Sequence, residues 1–562
     1  MIRRTAWSEG KGTPTLLFLL FLFYAFSFFM GVWHGSEPPL RMGDDSGMIL
    51  SVASARADPS TFANDWFLAN PGNYKFYVNF NLAYAYLVTA FTDFDPGLSL
   101  QFLLIPTIAL FLFGFYLLGT EIFSDRLTAV GFAVACSATV PTFPGDYWGF
   151  WREPQPRFVF SAIFPFLLVM ALRSGGDLRK WIGTFVSAGL ATYLHPASGP
   201  PVALALICAM AAVSVKTCGF RRTLLATLVS GIAYLLVFAP YAYVYLSAIW
   251  NAGHGIDPAA AMAAAQERFR ESYFDLPAGI AKTFKSAFGG YRWLAIPLSV
   301  LSAGIIARFA GERYRLFFIF VLTAALTLIS CGVPMLEHAI ARSRGSYVAE
   351  FDIVRSLRYV VPLVLLLVFW AAARMGKSVL TRSVLAVLLT AGWIGASHTG
   401  FSHSRHNYAL DTWRCWLAGQ LYCEPESHNI GFAELVRKAG EVSEKGDTFF
   451  ADVLSLPIRY AAERPLVFDQ KDFAWLPYSN HRQLVENVGL LKEWRDIKSI
   501  GNQQTRIAAM IDFAKARGAD YFVYNGLMRQ TEFPDSFKEI VFENRFGAIL
   551  KLGDEPTEPD QS

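Results

Sequence analysis

Long apolar stretches recur along this 562-residue sequence, and charged residues bound them. A run of about 20 apolar residues is long enough to cross the hydrocarbon core of a bilayer as a helix. Hydrophobic residues make up 54% of the chain and charged residues only 17%, whereas a soluble domain has about 25% charged residues. The pattern predicts a polytopic α-helical membrane protein. The net charge of +4 is small and spread out, which argues against a nucleic-acid partner.

The apolar stretches predict about eleven transmembrane helices, at 15–33, 98–119, 128–142, 158–172, 181–194, 201–215, 223–247, 293–307, 316–333, 359–373 and 383–397. The N-terminus and five later connections on the same predicted side are short, basic and close to a membrane end. Such segments stay in the cytoplasm, so this side is predicted to be cytoplasmic. The first apolar run is longer than a signal-peptide core, and no small-residue cleavage site follows it. We therefore expect it to be retained as a span.

The stretch 77–91, YVNFNLAYAYLVTAF, leaves an alternative open. As a twelfth span it would invert every later connection and place the basic segments outside, against the positive-inside rule. We therefore predict an interfacial or re-entrant helix. With eleven spans, the outer side receives the loops 34–97, 143–157, 195–200, 248–292 and 334–358, together with everything after about 398.

The tail after 398 alternates helix-like and strand-like segments. AELVRKAGEVSEKG is typical of a helix, DTFFADV of a strand, RIAAMIDFAKARGADYFVYN of a helix followed by a buried strand, and FKEIVFENRFGAILKL of a hairpin that turns near Asn544. Such alternation favours a small α/β domain. We predict two domains: a transmembrane module over 1–397, with loop one at 34–97, and a soluble extracytoplasmic α/β domain over 398–562.

Two of the six cysteines, Cys415 and Cys423, lie in this tail, with seven residues between them in CWLAGQLYC. In an oxidising outer compartment they would form a local disulfide; the alternative is two buried thiols. The other four cysteines lie in or beside predicted spans, where a small buried hydrophobe is the usual role. No metal-type cysteine spacing occurs, so the cofactor is unknown and a divalent metal has no support from the spacing.

The outer loops, in contrast to the predicted spans, carry ionisable groups. None of the eleven spans as predicted contains an Asp, Glu, Lys, Arg or His in its interior. Ion-coupled transporters usually need such groups near the midplane, so the pattern argues against a transporter. The outer candidates are Asp44, Asp45, Asp146, Glu153, Arg157, His195, Arg344, Arg355 and Arg358. Acids in early loops and arginines in a late loop indicate a general base that faces an anion site.

Each candidate acid has a structural alternative. Asp44 or Asp45 would serve as the N-cap of the helix that follows, SGMILSVASARA, because Asp is a favoured N-cap residue. Adjacent residues on a helix point about 100° apart, so one acid would cap while the other catalyses. Asp146 in PGDY has the composition of a turn residue.

The basic and aromatic candidates have structural alternatives as well. Arg157 and Arg358 each adjoin a span and would anchor it to lipid headgroups. His195 ends a span, where the negative end of the helix dipole favours it. The Trp and Tyr residues of loop two fit an aromatic belt at the membrane interface as readily as a platform for a sugar ring.

This layout resembles the GT-C class of membrane glycosyltransferases, which includes protein O-mannosyltransferases, oligosaccharyltransferases and the aminoarabinose transferase of lipid A. The shared features are a cytoplasmic start, an early outer loop that opens with Asp-Asp, a membrane-surface helix, a second acid-bearing outer loop and a soluble outer C-terminal domain. Asp44 matches the acid of loop one in that class, and Asp45 matches its acidic neighbour. Asp146 or Glu153 falls where the second acid lies, although this sequence has no D-x-D or T-D pattern there.

The resemblance implies a transfer of sugar from a polyprenyl-phosphate carrier to a hydroxyl of a glycan, lipid or protein acceptor, outside the cytoplasm. Asp44 would be the base, and the loop-five arginines would bind the leaving phosphate. HPASG, which contains His195, also resembles bacterial membrane proteins of this layout. This likeness points to the bacterial inner membrane, with the C-terminal domain in the periplasm. The alternatives from other classes are a transporter or flippase-like protein for envelope polysaccharide or lipid, and a non-catalytic envelope-assembly protein.

The predicted orientation gives a direct test. A single cysteine placed near residue 500 should react with a membrane-impermeant thiol reagent in intact cells, because the six basic inner segments place the tail outside. Mass-tagging of the protein with and without prior lysis measures this. Labelling that occurs only after lysis would contradict the orientation.

Overall fold

The structure is a computed structural model that describes residues 12–35, 42–123, 125–142, 146–269, 275–288, 295–308, 313–348, 352–398, 407–421, 423, 427–526, 533 and 537–553. The chain is mostly helical. The helices are α1 (Gly12–Gly35), α2 (Asp44–Ala57), α3 (Phe80–Phe91), α4 (Pro96–Phe102), α5 (Leu104–Ile122), α6 (Arg126–Cys136), α7 (Pro156–Ser174), α8 (Leu178–Thr192), α9 (Gly199–Cys218), α10 (Phe220–Ala252), α11 (Pro258–Arg268), α12 (Leu276–Phe288), α13 (Ala295–Arg308), α14 (Arg313–Arg344), α15 (Val360–Met375), α16 (Val379–His398), α17 (Asn407–Leu417), α18 (Ser427–Glu441), α19 (Ser455–Tyr460), α20 (Leu476–Ser479), α21 (His481–Ser499) and α22 (Gln503–Lys515). The strands are β1 (Val140–Pro141), β2 (Tyr147–Trp148), β3 (Phe449–Ala451), β4 (Tyr521–Asn525), β5 (Glu539–Asn544) and β6 (Gly547–Lys551).

Each of the eleven predicted spans overlaps a helix, but the span predicted at 128–142 is helical only to Cys136 and then enters β1, and the span at 98–119 consists of two helices, α4 and α5. Within the described residues, seven helical segments are long and apolar enough to cross a membrane: Pro14–Trp33, Pro96–Ile122, Pro156–Ser174, Gly199–Cys218, Phe220–Ala252, Tyr314–Arg344 and Ile353–Met375. Shorter apolar helices cover Phe80–Phe91, Arg126–Cys136 and Val379–Gly395. The protein is therefore helical with several apolar spans, while the number eleven stays a prediction. The segment 77–91 is largely the helix α3, which is consistent with the interfacial helix that we predict.

Two local expectations are wrong. The predicted outer loop 334–358 begins as helix, because α14 continues through Pro334 to Arg344. At about 1.5 Å per residue α14 is roughly 48 Å long, which exceeds a hydrocarbon core of about 30 Å. Its ionisable residues Glu337 and His338 therefore lie beyond the first 20 residues of the helix.

The N-cap of α2 is Gly43 rather than an aspartate, so Asp44 and Asp45 occupy the first two helical positions.

The chain divides into two compact units. Unit 1 comprises Met1–Gly31, Leu103–Ala242 and Glu271–Gly419; unit 2 comprises Val32–Phe102, Tyr243–Arg270 and Gln420–Ser562. In unit 1, α15 packs against α6, α13, α14 and α16, and every residue from Val360 to Ala372 is buried. A helix that is apolar on all sides is stable only inside a bundle or a membrane, so α15 forms the centre of this unit.

Unit 2 contains a four-stranded sheet in the order β3-β4-β6-β5. β3 and β4 are parallel, and the remaining pairs are antiparallel. Asn544 pairs with Gly547 across a two-residue loop, so the terminal hairpin predicted to turn near Asn544 is confirmed. The helix and strands predicted for the tail correspond to α18, β3, α22 and β4. Apolar residues of α18, α19 and the sheet form the core, with Phe449, Val523 and Ile549 fully buried.

Loop one groups with the C-terminal segment rather than with the transmembrane module, which differs from the predicted boundary at 397/398. Asp65 of loop one binds Arg459 of α19 through two hydrogen bonds of 2.8 and 2.9 Å. The guanidinium of Arg459 also binds Asp472, at 2.7 and 2.8 Å. All three side chains are fully buried. A charge removed from water must be paired to be tolerated, so loop one is required to compensate Arg459.

Further polar contacts join the same two segments. Asn73 in loop one donates to Gln483 at 2.9 Å and accepts from Asn480 at the same distance. Tyr460 donates to the carbonyl oxygen of Met42 at 3.0 Å, just before α2 begins. Buried polar groups are stable when they are hydrogen-bonded, and these bonds cross about 400 residues of sequence. Loop one thus belongs to the same unit as the part of the tail that begins at Gln420.

Cys415 and Cys423 are both disulfide-bonded, and Cys136, Cys208, Cys218 and Cys331 are free thiols. This agrees with the predicted bridge in CWLAGQLYC. A bridge over so short a loop removes little conformational freedom from the unfolded chain, so its contribution to stability is small compared with that of a bridge across a long loop.

The buried Arg459 cluster gives a prediction for stability. Asp65→Asn keeps the size of the side chain and leaves Asp472 as the counter-charge of Arg459, but an amide replaces the carboxylate that accepts two guanidinium hydrogen bonds, so the free energy of unfolding should fall by about 2–3 kcal/mol. The matched control is Asp452→Asn, which breaks a partly exposed ion pair with Lys498 (2.6 Å) and should cost at most about 1 kcal/mol. Thermal unfolding of the purified protein in detergent compares the two. Equal melting temperatures would contradict the role of Asp65.

Candidate functional site

Loop two forms a short hairpin that presents Asp146. β1 and β2 pair antiparallel, with Val140 opposite Trp148. The bulky side chain of Trp148 is buried, and its indole donates to the carbonyl of Cys136 at 2.8 Å. Gly149 follows with φ of +97°, and a Cβ there would collide with the backbone of Ala138. Glycine is needed at this position because other residues are strained at positive φ.

Asp146 lies between two arginines from other parts of unit 1. Its Oδ1 is 3.1 Å from Nη1 of Arg157 and 3.0 Å from Nη1 of Arg358. Its Oδ2 accepts from the hydroxyl of Thr142 at 3.1 Å. The Asp146 side chain is fully buried, and those of Arg157 and Arg358 are 11% and 2% exposed. Both guanidinium groups therefore share this one buried carboxylate, in a place where water cannot screen their charges.

Gln155, the residue before α7, supplies an amide group to the site. Pro156 occupies the first turn of α7, where its fixed φ and missing N–H fit a helix start. Gln155 precedes it and accepts from Nε of Arg157 at 2.6 Å. The Nε2 of Gln155 is buried and has no hydrogen-bond partner among the described residues. A buried amide donor without a partner costs free energy, so an acceptor from outside the protein would be stabilised there.

A small pocket opens over these groups. It is lined by Tyr147, Gly149, Trp151, Gln155, Arg157, Phe158, Ser161 and Arg358, and its cavity of about 10 Å³ has room for about one water molecule. The rings of Tyr147 and Trp151 stack with centroids 4.9 Å apart, and both side chains are half-buried. The pocket therefore combines two guanidinium groups, an amide donor, a hydroxyl and an aromatic wall. A ligand larger than a water molecule would have to displace some of these side chains.

His195 is connected to this site through hydrogen bonds. Its Nδ1 lies 2.7 Å from the hydroxyl of Ser198, and Tyr359 donates to the same hydroxyl at 2.8 Å. Tyr359 follows Arg358 directly in the 3₁₀ helix Ile353–Tyr359. Its ring packs against Trp148 with centroids 5.8 Å apart. The structure thus brings four of the candidate residues, Asp146, Arg157, His195 and Arg358, into one connected cluster.

Three other candidates lie in different surroundings. Glu153 is buried, with Oε1 3.6 Å from Nε of Arg152, and it does not line the pocket. Arg355 forms an ion pair of 3.0 Å with Asp352, both partly exposed. Arg344 is exposed at the end of α14. Of the arginines predicted to bind phosphate, Arg358 and Arg157 are the ones that reach Asp146.

The two acids of GDDSG belong to unit 2. Asp45 forms an ion pair with Lys471, with 2.7 Å between Oδ1 and Nζ, and its side chain is 31% exposed. The backbone of Asp44 begins α2, while its side chain lies outside the described part of the structure. Both acids at the N-terminus of α2 are favoured by the helix dipole. Their catalytic role stays a prediction.

The sequence did not identify four neutral residues of the site: Gln155, Ser161, Ser198 and Tyr359. Each is neutral and sits next to a charged candidate or in a helix turn, where apolar neighbours give no distinguishing pattern. Pro156 was a usable signal, because a proline at a helix start fixes the position of the residues beside it. Within the described residues, no group of three or more His, Cys, Asp and Glu side chains is placed to hold a metal ion.

No family model and no curated protein matches this chain. Among solved structures, it is similar to the archaeal oligosaccharyltransferase AglB from Archaeoglobus fulgidus, in complex with an inhibitory peptide and a dolichol-phosphate. The match has 13% sequence identity and a TM-score of 0.40, and it covers 92% of this chain and 70% of the other. A TM-score of this size does not establish a common fold.

The two ion pairs of Asp146 give a prediction. Asp146→Asn removes the buried carboxylate that both guanidinium groups contact, so the protein should be destabilised by about 3–5 kcal/mol. If the pocket is open to anions, sulfate should occupy it and restore part of the stability, because it replaces the lost negative charge. Melting temperatures in sulfate and in chloride at equal ionic strength, for the native protein and the variant, measure this.

Sulfate stabilises most proteins to some extent by exclusion from their surface. The informative quantity is therefore the sulfate effect on Asp146→Asn minus the effect on the native protein. Asp352→Asn, which removes the partly exposed partner of Arg355, is the matched control and should show the native response. A difference of zero for Asp146→Asn would mean that anions do not reach these arginines.

Proposed function

We propose that this chain is a glycosyltransferase that moves a sugar from a polyprenyl-phosphate carrier to an acceptor hydroxyl on the extracytoplasmic side of a membrane. The acceptor would be a glycan, a lipid or a protein. The chain would lie in the bacterial inner membrane, with a cytoplasmic N-terminus and a periplasmic C-terminal segment. The observation that carries the proposal is the buried pair Arg157 and Arg358 at a pocket, with Asp146 between them.

The two buried guanidinium groups favour a phosphate as the ligand of the pocket. Arg157 and Arg358 both reach the same carboxylate oxygen of Asp146. A sugar linked to a lipid through a phosphate is an anion, and charge-assisted hydrogen bonds from guanidinium groups to phosphate oxygens are strong. The buried Nε2 of Gln155 offers one more donor to a phosphate oxygen.

In the proposed reaction, the acceptor oxygen forms a bond to the anomeric carbon as the bond from that carbon to the phosphate oxygen breaks. The electron pair leaves with the phosphate, whose growing negative charge Arg157 and Arg358 stabilise. The proton of the acceptor hydroxyl passes to a carboxylate base, for which Asp44 is the first choice and Asp45 the second. Asp146 is proposed to orient the arginines, since both of its oxygens already accept hydrogen bonds.

The aromatic pair supports a sugar rather than a lipid headgroup as the neighbour of the phosphate. Tyr147 and Trp151 are stacked and line the pocket, instead of pointing singly outward as residues of an interfacial belt do. The apolar face of a sugar ring packs well on such a surface. A transporter would bind the same anion, so the test must measure transfer of the sugar.

The test uses membranes that contain the full chain and a radiolabelled polyprenyl-phosphate sugar. Transfer is read as label that moves from the organic-extractable carrier into other envelope material. Arg358→Gln should lower the transfer rate by about 10²- to 10³-fold, a loss typical of removing a group that stabilises developing negative charge. The matched control Arg437→Gln changes an exposed arginine of unit 2 and should retain the native rate. Movement of intact labelled carrier across vesicles, without transfer, would favour the transporter.

The base gives a separate prediction. Asp44→Asn keeps the shape of the side chain but removes the proton acceptor, so turnover should fall by roughly 10²–10⁴-fold while the melting temperature is unchanged. Asp45→Asn breaks the ion pair with Lys471 and should cost about 1 kcal/mol of stability or less, with a small effect on turnover. Full activity in the Asp44 variant would end the catalytic role of this residue.

A further inference from the structure

The turn HPASG between α8 and α9 has a defined hydrogen-bonded geometry. The backbone N–H groups of Ser198 and Gly199 donate to the carbonyl of His195, at 3.0 and 3.2 Å. A Cβ at Gly199 would collide with the side chain of Thr192, so the close approach of the two helices requires glycine there. These contacts fix the imidazole of His195 and the hydroxyl of Ser198 on the same side of the turn.

Ser198 connects Tyr359 to His195 by two hydrogen bonds. Tyr359 donates its hydroxyl proton to Oγ of Ser198 at 2.8 Å. Oγ of Ser198 is also 2.7 Å from Nδ1 of His195. We take the tautomer with the proton on Nε2, in which Nδ1 accepts the single hydroxyl proton of Ser198.

Tyr359 fixes the 3₁₀ helix that carries Arg358. Its fully buried ring packs on Phe164, with centroids 4.9 Å apart, and on Trp148 of loop two. Its hydroxyl also lies within hydrogen-bonding reach of Ser161, which lines the pocket. Because Arg358 is the preceding residue, a shift of Tyr359 would move the guanidinium away from Asp146.

We propose that His195 is a positioning residue for the anion pocket: through Ser198 and Tyr359 it holds Arg358 in the orientation that binds the phosphate. The inference rests on the proposed function, because it assumes that Arg358 binds the anion. His195, one of the candidate residues of the outer loops, would then act through three hydrogen-bonding groups rather than by touching the ligand. The role requires an acceptor at the Nδ1 position.

The two amide substitutions of His195 separate these roles. In His195→Asn the side-chain oxygen takes the place of Nδ1, so it can still accept from Ser198. In His195→Gln the amide reaches the place of Nε2, and the acceptor near Ser198 is lost. A positioning role predicts that the Asn variant rescues what the Gln variant loses. A residue that contacts the ligand through Nε2, or that exchanges a proton, predicts the reverse or a loss in both variants.

The measurement is binding of farnesyl phosphate to the purified full chain in detergent, by titration calorimetry. We expect about 3- to 10-fold weaker binding for His195→Gln, Ser198→Ala and Tyr359→Phe, the usual effect of one lost hydrogen bond. His195→Asn should bind within about twofold of the native protein. His254→Gln, at an exposed histidine of unit 2, is the matched control and should bind as the native protein does.

The double variant His195→Gln with Ser198→Ala tests the connection itself. If His195 acts only through Ser198, the double variant should bind no more weakly than Ser198→Ala alone, because the two changes break the same chain. Additive losses, or equal losses in the Asn and Gln variants, would overturn the proposal while leaving the anion pocket intact.

Failure of the proposed function gives a different result. If Arg358→Gln binds farnesyl phosphate as well as the native protein, or if the native protein does not bind it, the anion pocket is wrong. Melting temperatures then test the hydrogen bonds by themselves. His195→Asn should melt at the native temperature, and His195→Gln and Ser198→Ala should melt at the same lower temperature. Equal melting temperatures in all of these proteins would also contradict the proposed hydrogen-bonded connection.

Discussion

The carboxylate of Asp146 binds two buried guanidinium groups at once, and the geometry of the candidate site depends on this contact. Arg157 comes from the start of α7 and Arg358 from the turn before α15, so one side chain of loop two joins three distant parts of unit 1. A charge buried with so little water must be matched in position as well as in sign. Asp146 thereby holds both guanidinium groups at the pocket, where they are proposed to bind an anion.

In unit 2 the numbers are reversed, because one buried arginine has two carboxylate partners. Arg459 binds Asp65 and Asp472 with good geometry and full burial, so no guanidinium group is left for a ligand. The cluster has a structural role: it ties loop one to the C-terminal segment. The number of carboxylates around a buried arginine decides whether the arginine supports the fold or binds an anion.

In the proposed reaction the aspartates have different roles. Asp146 is engaged on both oxygens and orients the arginines, whereas the base must have an oxygen available to the acceptor. The two guanidinium groups at the pocket are proposed to bind a phosphate. The aromatic wall of Tyr147 and Trp151 suits a sugar attached to it. The positioning chain from His195 adds rigidity to Arg358, and a group that binds developing charge is effective when it is held in place beforehand.

The sequence alone determined the helical membrane class and the terminal hairpin, because each follows from local hydrophobicity or turn chemistry. It also singled out Asp146, Arg157, His195 and Arg358, since charged residues beside apolar segments are conspicuous. Only the tertiary structure decided which of them meet. The partners of Asp146 lie 11 and about 200 residues away, and loop one pairs with α19 across about 400 residues. Such pairings arise from the compensation of buried charge between distant segments, and no local pattern encodes that distance.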